Sequence, residues 1–358
     1  MWIRKIEFSN FRCYKKKEFS FKPGCSIIVG DNAIGKSSII EGVSVLGTTK
    51  SFRKAKDTDM ALFGTENYYI QSIVQKDDKI SEYKISVSFS DGVKKVSKND
   101  NIFKRISDYL SCLLVVSFSS FDFQLIRGVP LERRKFLNLL NLQFEPRDAL
   151  TLNEYEKILK ERNFLLKNNK ITNENKKLKL LEILSFQLIE KGKKIIALRK
   201  KIIDLINEII ALEYSAISGS LNDFVKIEYI NNVSVNEYES IMTKSLNEDL
   251  LKGSTSRGPH KDDFIIMLNG RNISICGSQG QQRDALIALK LSVTKLMSRI
   301  KKENPVLLLD DVFSELDAER QNKIIERLDK KMQTIITTTT LSDIKQEILS
   351  TANIIELK

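Results

Sequence analysis

The chain carries one histidine and only four cysteines in 358 residues. Cys13, Cys25, Cys112 and Cys276 lie far apart, and no Cys-x-x-Cys pair occurs. That spacing suggests neither a zinc site nor a disulfide framework, and a reducing cytoplasm is the expected compartment. No apolar run approaches the ~18 residues that cross a bilayer, so no membrane partner is expected. Met1-Trp2-Ile3-Arg4-Lys5-Ile6-Glu7 interrupts its apolar residues with charge at once, unlike a secretory signal. Neither helix-turn-helix nor zinc-finger spacing is present, which argues against sequence-specific reading of DNA. No tandem repeat at solenoid periods is visible.

What is present is a globular composition with a basic bias. Hydrophobic residues make up 42% and charged residues 29%, so a chain of this length has room for two domains with real cores. The net charge of +12 is the footprint of a nucleic-acid binder, although Lys-rich usage alone can produce it. The candidate contacts are Lys15-Lys16-Lys17, Arg53-Lys54-x-Lys56, Arg133-Arg134-Lys135 and Lys193-Lys194, each of which could equally be a solvated face.

Periodicity divides the chain in three. Strand-like alternation over 2–8 and a buried strand over 25–29 lead into a glycine-rich loop and a helix over 38–46. Strands over 68–74, 83–89 and 112–118 follow, with Asp91-Gly92 as a turn. From 131 to 213 the period is helical. Leu181, Leu184, Leu188, Ile195, Leu198, Ile202, Leu205, Ile209 and Leu212 form heptad rows that lapse at Lys191, and Ile189, Ile196, Ile203 and Ile210 add a second row. The wider face predicts a helix in a small bundle, about 48 Å long, rather than a rod. After Gly253 the pattern returns to α/β, with strands over 264–268, 306–309 and 334–339 and helices over 279–300 and 318–328. The expected organisation is an α/β head in two halves, 1–118 and 254–358, around a helical insert over 119–253.

Gly30-Asp31-Asn32-Ala33-Ile34-Gly35-Lys36-Ser37 has the spacing of a Walker A loop. Its glycines let successive N–H groups turn toward phosphate oxygens, Lys36 reaches the β- and γ-phosphates, and the Ser37 hydroxyl ligates Mg²⁺. Gly30 through Ser38 are therefore the expected ATP contacts. Pro305-Val306-Leu307-Leu308-Leu309-Asp310-Asp311 supplies two carboxylates at the end of an apolar strand. Asp310 is expected to hold Mg²⁺, and Asp311 to orient or deprotonate the attacking water.

Gly277-Ser278-Gln279-Gly280-Gln281-Gln282-Arg283 opens the helix that precedes this strand. A capping box accounts for Ser278 and Gln281 but not for Gly280, which weakens a first helical turn. A glycine there permits close approach of an anion to the helix N-terminus. The run is similar to the Ser-x-Gly-Gln signature of ABC-type ATPases, whose signature closes the nucleotide site of a partner subunit. Ser314-Glu315-Leu316-Asp317 stands where that class has its D-loop, and Thr337-Thr338-Thr339-Thr340 where many members carry a switch histidine. His260 lies elsewhere, in Gly258-Pro259-His260-Lys261-Asp262-Asp263, where a structural hydrogen-bonding role is expected over one at the nucleotide.

Together these runs resemble the RecF family of bacterial DNA-repair ATPases, related to the heads of SMC proteins. Asn10-Phe11-Arg12, Ser51-Phe52-Arg53, Arg127-Gly128-x-Pro130-x-x-Arg133-Arg134-x-Phe136-Leu137 and the His260 loop also carry the resemblance, which spans nearly the whole chain. Ala33 replaces a second central glycine usual in the family, and Lys261 replaces an arginine. Ser117-Phe118-Ser119-Ser120-Phe121 lacks the Pro-Glu-Asp flavour often seen there. The resemblance implies slow, DNA-stimulated hydrolysis of ATP held between two heads, in an ATP-dependent homodimer. Lys36, Ser278, Gly280, Gln281, Asp311 and Asp317 would be its catalytic residues. It further implies clamping of duplex DNA near single-strand/double-strand junctions, association with the nucleoid, and partnership with RecO and RecR in loading RecA. A transporter nucleotide-binding subunit would need a switch histidine and a signature about 100 residues after Walker A; here the gap exceeds 240 residues. An SMC-like structural head would need hundreds of heptad residues between its half-sites.

Overall fold

The computed structural model describes residues 1–76, 81–168, 174–311, 316–329 and 331–358. The chain forms two compact units. One comprises Met1–Phe123, Ile209–Val225 and Gly277–Lys358, and the other Gln124–Glu208 and Lys226–Cys276. The head therefore takes in the end of the long helix, and the second unit continues past Gly253 to Cys276, beyond the change of pattern that marked the expected boundary.

The strands in chain order begin with β1 (Trp2–Phe11), β2 (Tyr14–Ser20), β3 (Cys25–Val29), β4 (Tyr68–Gln75), β5 (Glu82–Ser90), β6 (Val93–Lys98) and β7 (Asn101–Ile102). They continue with β8 (Val115–Phe118), β9 (Val225–Ile230), β10 (Asp263–Leu268), β11 (Arg271–Asn272), β12 (Val306–Leu309), β13 (Thr334–Thr338) and β14 (Asn353–Glu356). The expected α/β head, an ABC-type fold of mixed parallel and antiparallel pairing, is built on two sheets. An antiparallel one runs β2-β1-β4-β5-β6-β7, and a parallel one runs β14-β3-β13-β12-β8. Asp91 and Gly92 both take positive φ (51° and 73°), as a two-residue hairpin between β5 and β6 requires.

The helix Lys36–Thr48 joins the sheets. Its Ile39, Ile40, Val43 and Leu46 share one core with Phe8, Phe11, Ile70 and Val87 of the antiparallel sheet and with Ile28, Leu308 and Ile335 of the parallel one. A Cβ at Gly42 would lie 2.2 Å from Phe8, and one at Gly47 2.3 Å from Val115, so these glycines set how closely the helix is gripped.

In the second unit the long helix (Glu174–Ser218) packs its 174–208 segment with the helix Ala149–Lys167. Leu188, Ile189, Ile195 and Ile196 meet Leu152, Tyr155, Ile158, Tyr238 and Met242, which is the small bundle expected from the wide apolar face. The heptad reading needs correction. Leu212 is exposed and Leu184, Leu198 and Leu205 are half-buried, whereas Ile189, Ile196, Ile203 and Ile210 are buried. A helix of 3.6 residues per turn drifts against a seven-residue repeat, and short bundle packing selects the broad stripe between the two rows.

Candidate nucleotide site

Among the described residues, all of those expected at the nucleotide fall in the first unit. β3 delivers the chain into the phosphate loop, and the helix Lys36–Thr48 starts at its end. A Cβ at Gly30 would come 2.8 Å from the Leu357 carbonyl, because that residue donates its N–H to Val29 O at 2.8 Å. Gly35 has φ 109°, and a Cβ there would meet the Tyr14 hydroxyl at 2.6 Å. Neither position tolerates a side chain. Ala33 also lies in the left-handed region, at φ 67°. Lys36 is buried, and its Nζ donates to the carbonyls of Gly30 and Asp31, both at 2.8 Å, lying across the loop it closes. Asp31, Asn32 and Ala33 are exposed, Ile34 and Ser37 half-buried, and Ser38 buried.

The sheet order places β13 between the two strands that carry the motifs. Leu309 of β12 pairs with Ile336 of β13, and Val29 of β3 pairs with Thr338. Thr337 thus sits between the phosphate loop and the carboxylates. Its hydroxyl donates to Asp310 Oδ1 at 3.0 Å and accepts the Asp311 N–H at 2.9 Å. Asp311 takes φ 55°, a turn that this bond holds. Burial raises the Asp310 pKa, and neighbouring Asp311 adds to the rise, while hydrogen bonds from Ser37 and Thr337 and the charge of Arg53 oppose it. The run of four threonines holds no switch histidine, yet its first member holds the Asp310 carboxylate and the Asp311 backbone; only the strand pairing reveals this.

Arg53 contributes an ion pair, with Nη2 3.7 Å from Asp310 Oδ2. A buried carboxylate positions it. Glu41, on the helix Lys36–Thr48, accepts two bonds from the Arg12 guanidinium (2.6 and 2.8 Å) and one from the Ser51 hydroxyl at 2.5 Å. Ser51 Oγ in turn accepts the Arg53 N–H at 3.0 Å. The runs Asn10-Phe11-Arg12 and Ser51-Phe52-Arg53, far apart in sequence, thereby converge on one residue. The guanidinium of Arg53, a candidate DNA contact in the sequence, faces Asp310.

At the signature, Ser278 caps the helix Gln279–Lys301. Its hydroxyl accepts the Gln281 N–H at 3.2 Å, and Gln281 Oε1 accepts the Ser278 N–H at 2.9 Å. Both halves of the capping box form. Gly280 is exposed, and a Cβ there would meet nothing nearer than 3.8 Å. Among the described residues nothing around it requires a glycine at that position. Asp317 caps the helix Ala318–Glu326, accepting the Arg320 N–H at 2.8 Å. Ser314 and Glu315 lie outside the described residues.

The His260 loop belongs to the second unit. His260 is held between the Tyr155 hydroxyl (2.7 Å to Nδ1) and the Thr255 carbonyl (3.0 Å to Nε2). A carbonyl only accepts, so Nε2 carries the proton and Nδ1 accepts from Tyr155. Burial lowers its pKa to about 4, which keeps it neutral. Arg133 grips Asp263 with two bonds (2.6 and 2.8 Å), and Arg134 donates to Asp262 O at 2.7 Å. Both arginines of this candidate DNA cluster thus make bonds within the fold, while Lys135 is exposed. Lys15, Lys16 and Lys17 stand exposed on β2.

The donor set fits Mg²⁺ bound with ATP. One hydroxyl (Ser37) hydrogen-bonded to one carboxylate (Asp310) is the sparse oxygen set that Mg²⁺ uses when phosphates and water complete its shell. Among the described residues no helix is long and apolar enough to cross a membrane.

Residues 2–354 match the family described as the RecF/RecN/SMC N-terminal domain. The DNA replication and repair protein RecF of Agathobacter rectalis is 38% identical over 344 residues, covering 96% of this chain and 93% of its own. A solved structure of the recombination mediator protein RecF with ATP superposes with a TM-score of 0.89 at 33% identity, over 96% of this chain and 93% of that one. The Smc head domain of Pyrococcus furiosus, at 17% identity and a TM-score of 0.54 over 96% and 92% of the two chains, shares the fold. The ABC-type head with its inserted helical arm, the signature run and the near full-length identity agree, and the chain belongs to the RecF family.

Proposed function

We propose that this protein is a DNA replication and repair ATPase that binds ATP·Mg²⁺ on its phosphate loop and closes the site with the signature of a second copy. The observation that carries this reading is Gly280. It sits in the exposed first turn of a capped helix, where a glycine costs about 1 kcal/mol and where the described residues of its own chain leave the space open. A phosphate approaching the helix N-terminus accounts for both the gap and the charge preference of the site.

Within that reading Lys36 and the loop from Gly30 to Ser38 hold the nucleotide, Ser37 and Asp310 hold Mg²⁺, and Asp311 orients the attacking water. Ser278, Gly280 and Gln281 complete the site of the opposite head, with Asp317 at the D-loop. Bound Mg²⁺ neutralises charge on the transferring phosphoryl group. The closed dimer would clamp DNA near single-strand/double-strand junctions without reading sequence. RecO and RecR are the expected partners, with RecA loaded as the outcome. The solved relative, described as a recombination mediator of the RecFOR pathway, supports that assignment.

Sedimentation with and without ATP tests the reading. Wild-type protein is expected to pair only with ATP, and Asp311→Asn to remain paired while hydrolysis falls by about two orders of magnitude or more. Lys36→Ala is expected to stay monomeric. Wild-type protein that is monomeric under both conditions would sink it.

A further inference from the structure

The guanidinium of Arg320 joins two elements that are distant in sequence. Its Nε and Nη2 hold both oxygens of Asp284, at 2.7 and 3.0 Å, and Nη1 donates to Asp317. Asp284 is buried and lies on the signature helix six residues after Ser278; Asp317 caps the next helix and ends the D-loop run. The two carboxylates raise the Arg320 pKa, and Arg320 in turn lowers that of Asp317. Among the described residues, Arg320 is also the nearest side chain of another element to the open space at Gly280, with Nη2 3.8 Å from where a Cβ would stand.

We infer that Arg320 is a positioning residue for what one head offers to the nucleotide of the other. A planar guanidinium with a two-pronged bond to one carboxylate and a third bond to another fixes both distance and angle between their helices, which a lysine cannot do. The start of the signature helix and the end of the D-loop are thereby set as one piece, presented together across the dimer. The phosphate loop of the same head makes none of these bonds. This inference rests on the proposed sandwich of two heads and deepens it.

The test uses the full chain, a fluorescent ATP analogue, sedimentation and ATPase assays. Arg320→Ala is expected to bind the analogue within about twofold of wild type, because its own phosphate loop is untouched. It should lose ATP-driven pairing and at least about tenfold in turnover. Arg320→Lys should not restore either property. Mixing Arg320→Ala with Lys36→Ala in equal amounts should recover ATPase toward about half of wild type, since neither variant pairs with itself and each mixed pair holds one of its two sites built from an intact phosphate loop and an intact signature. Asp284→Asn, which breaks the same bridge from the other side, should behave alike.

Arg320→Ala protein that pairs and hydrolyses as wild type overturns the inference. So does a mixture that stays inactive, which would place the residue in the service of its own head. Loss of analogue binding in both Arg320→Ala and Asp284→Asn would make the bridge part of the fold and likewise overturn it. Failure of wild-type protein to pair with ATP would instead overturn the sandwich itself, a separate and distinguishable result.

Discussion

At the scale of single residues, Ala33 carries a strain that its chemistry makes measurable. A residue with a Cβ at φ 67° is destabilised by about 1–2 kcal/mol, while a glycine loses about 0.5–1 kcal/mol more entropy on folding. Ala33→Gly is therefore expected to raise stability by about 0.5–1 kcal/mol, read as a shift of the denaturant midpoint at unchanged slope. Lower stability in this variant would show that the alanine methyl makes a contact the strain argument ignores. The same position explains why a central glycine is the family's usual choice: the loop adopts the glycine conformation whether or not a glycine is present. Gly35 is less forgiving, since both its φ and the Tyr14 hydroxyl exclude a side chain.

At the scale of elements, Glu41 ties β1's end, the phosphate-loop helix and the Ser51–Arg53 segment into one network. Glu41→Gln removes the charge opposite Arg12 and turns one of its acceptor oxygens into a donor facing groups that donate. About 2 kcal/mol or more of stability should be lost, as expected for one partner removed from a largely buried pair. Because Arg53 is placed through Ser51, hydrolysis should fall further than nucleotide affinity does. Equal losses in both would argue that the network only holds the fold.

Such networks also mark what the sequence made readable. The phosphate loop, the Asp310-Asp311 pair and the capping box are local patterns, and each takes its expected place because its chemistry is complete within a few residues. Thr337, Glu41 and Arg320 were silent, since their roles arise from strand order and from partners 26 to 36 residues away, or on another sheet. β2 was unreadable for a different reason. An edge strand of successive lysines shows no apolar alternation, although those charges suit a sheet edge that must not pair with another chain. The arginines at 133 and 134 illustrate the converse, because a charge cluster says nothing of the carboxylate and the backbone carbonyl that engage them from more than 120 residues later.

At the scale of the whole molecule, the two units have separate cores, and His260 gives one of them a distinct response to acid. A base whose folded pKa is lowered from 6.5 to about 4 contributes its full stabilisation above pH 6.5, where both folded and unfolded states are neutral. As pH falls below 6.5 the unfolded chain takes a proton that the folded loop refuses. The loss grows until about pH 4 and totals about 3 kcal/mol. Asp262, whose pKa burial raises, binds its proton more readily in the folded state and so acts in the opposite sense at acid pH. A variant is needed to separate the two. Calorimetry between pH 7 and 4.5 is expected to show the transition of the second unit moving down more than that of the head. His260→Gln, which can still donate to Thr255 O and accept from Tyr155, should flatten that movement while leaving the head's transition in place. If the variant and wild type lose stability in parallel as pH falls, the buried imidazole is not the group that sets the unit's acid sensitivity.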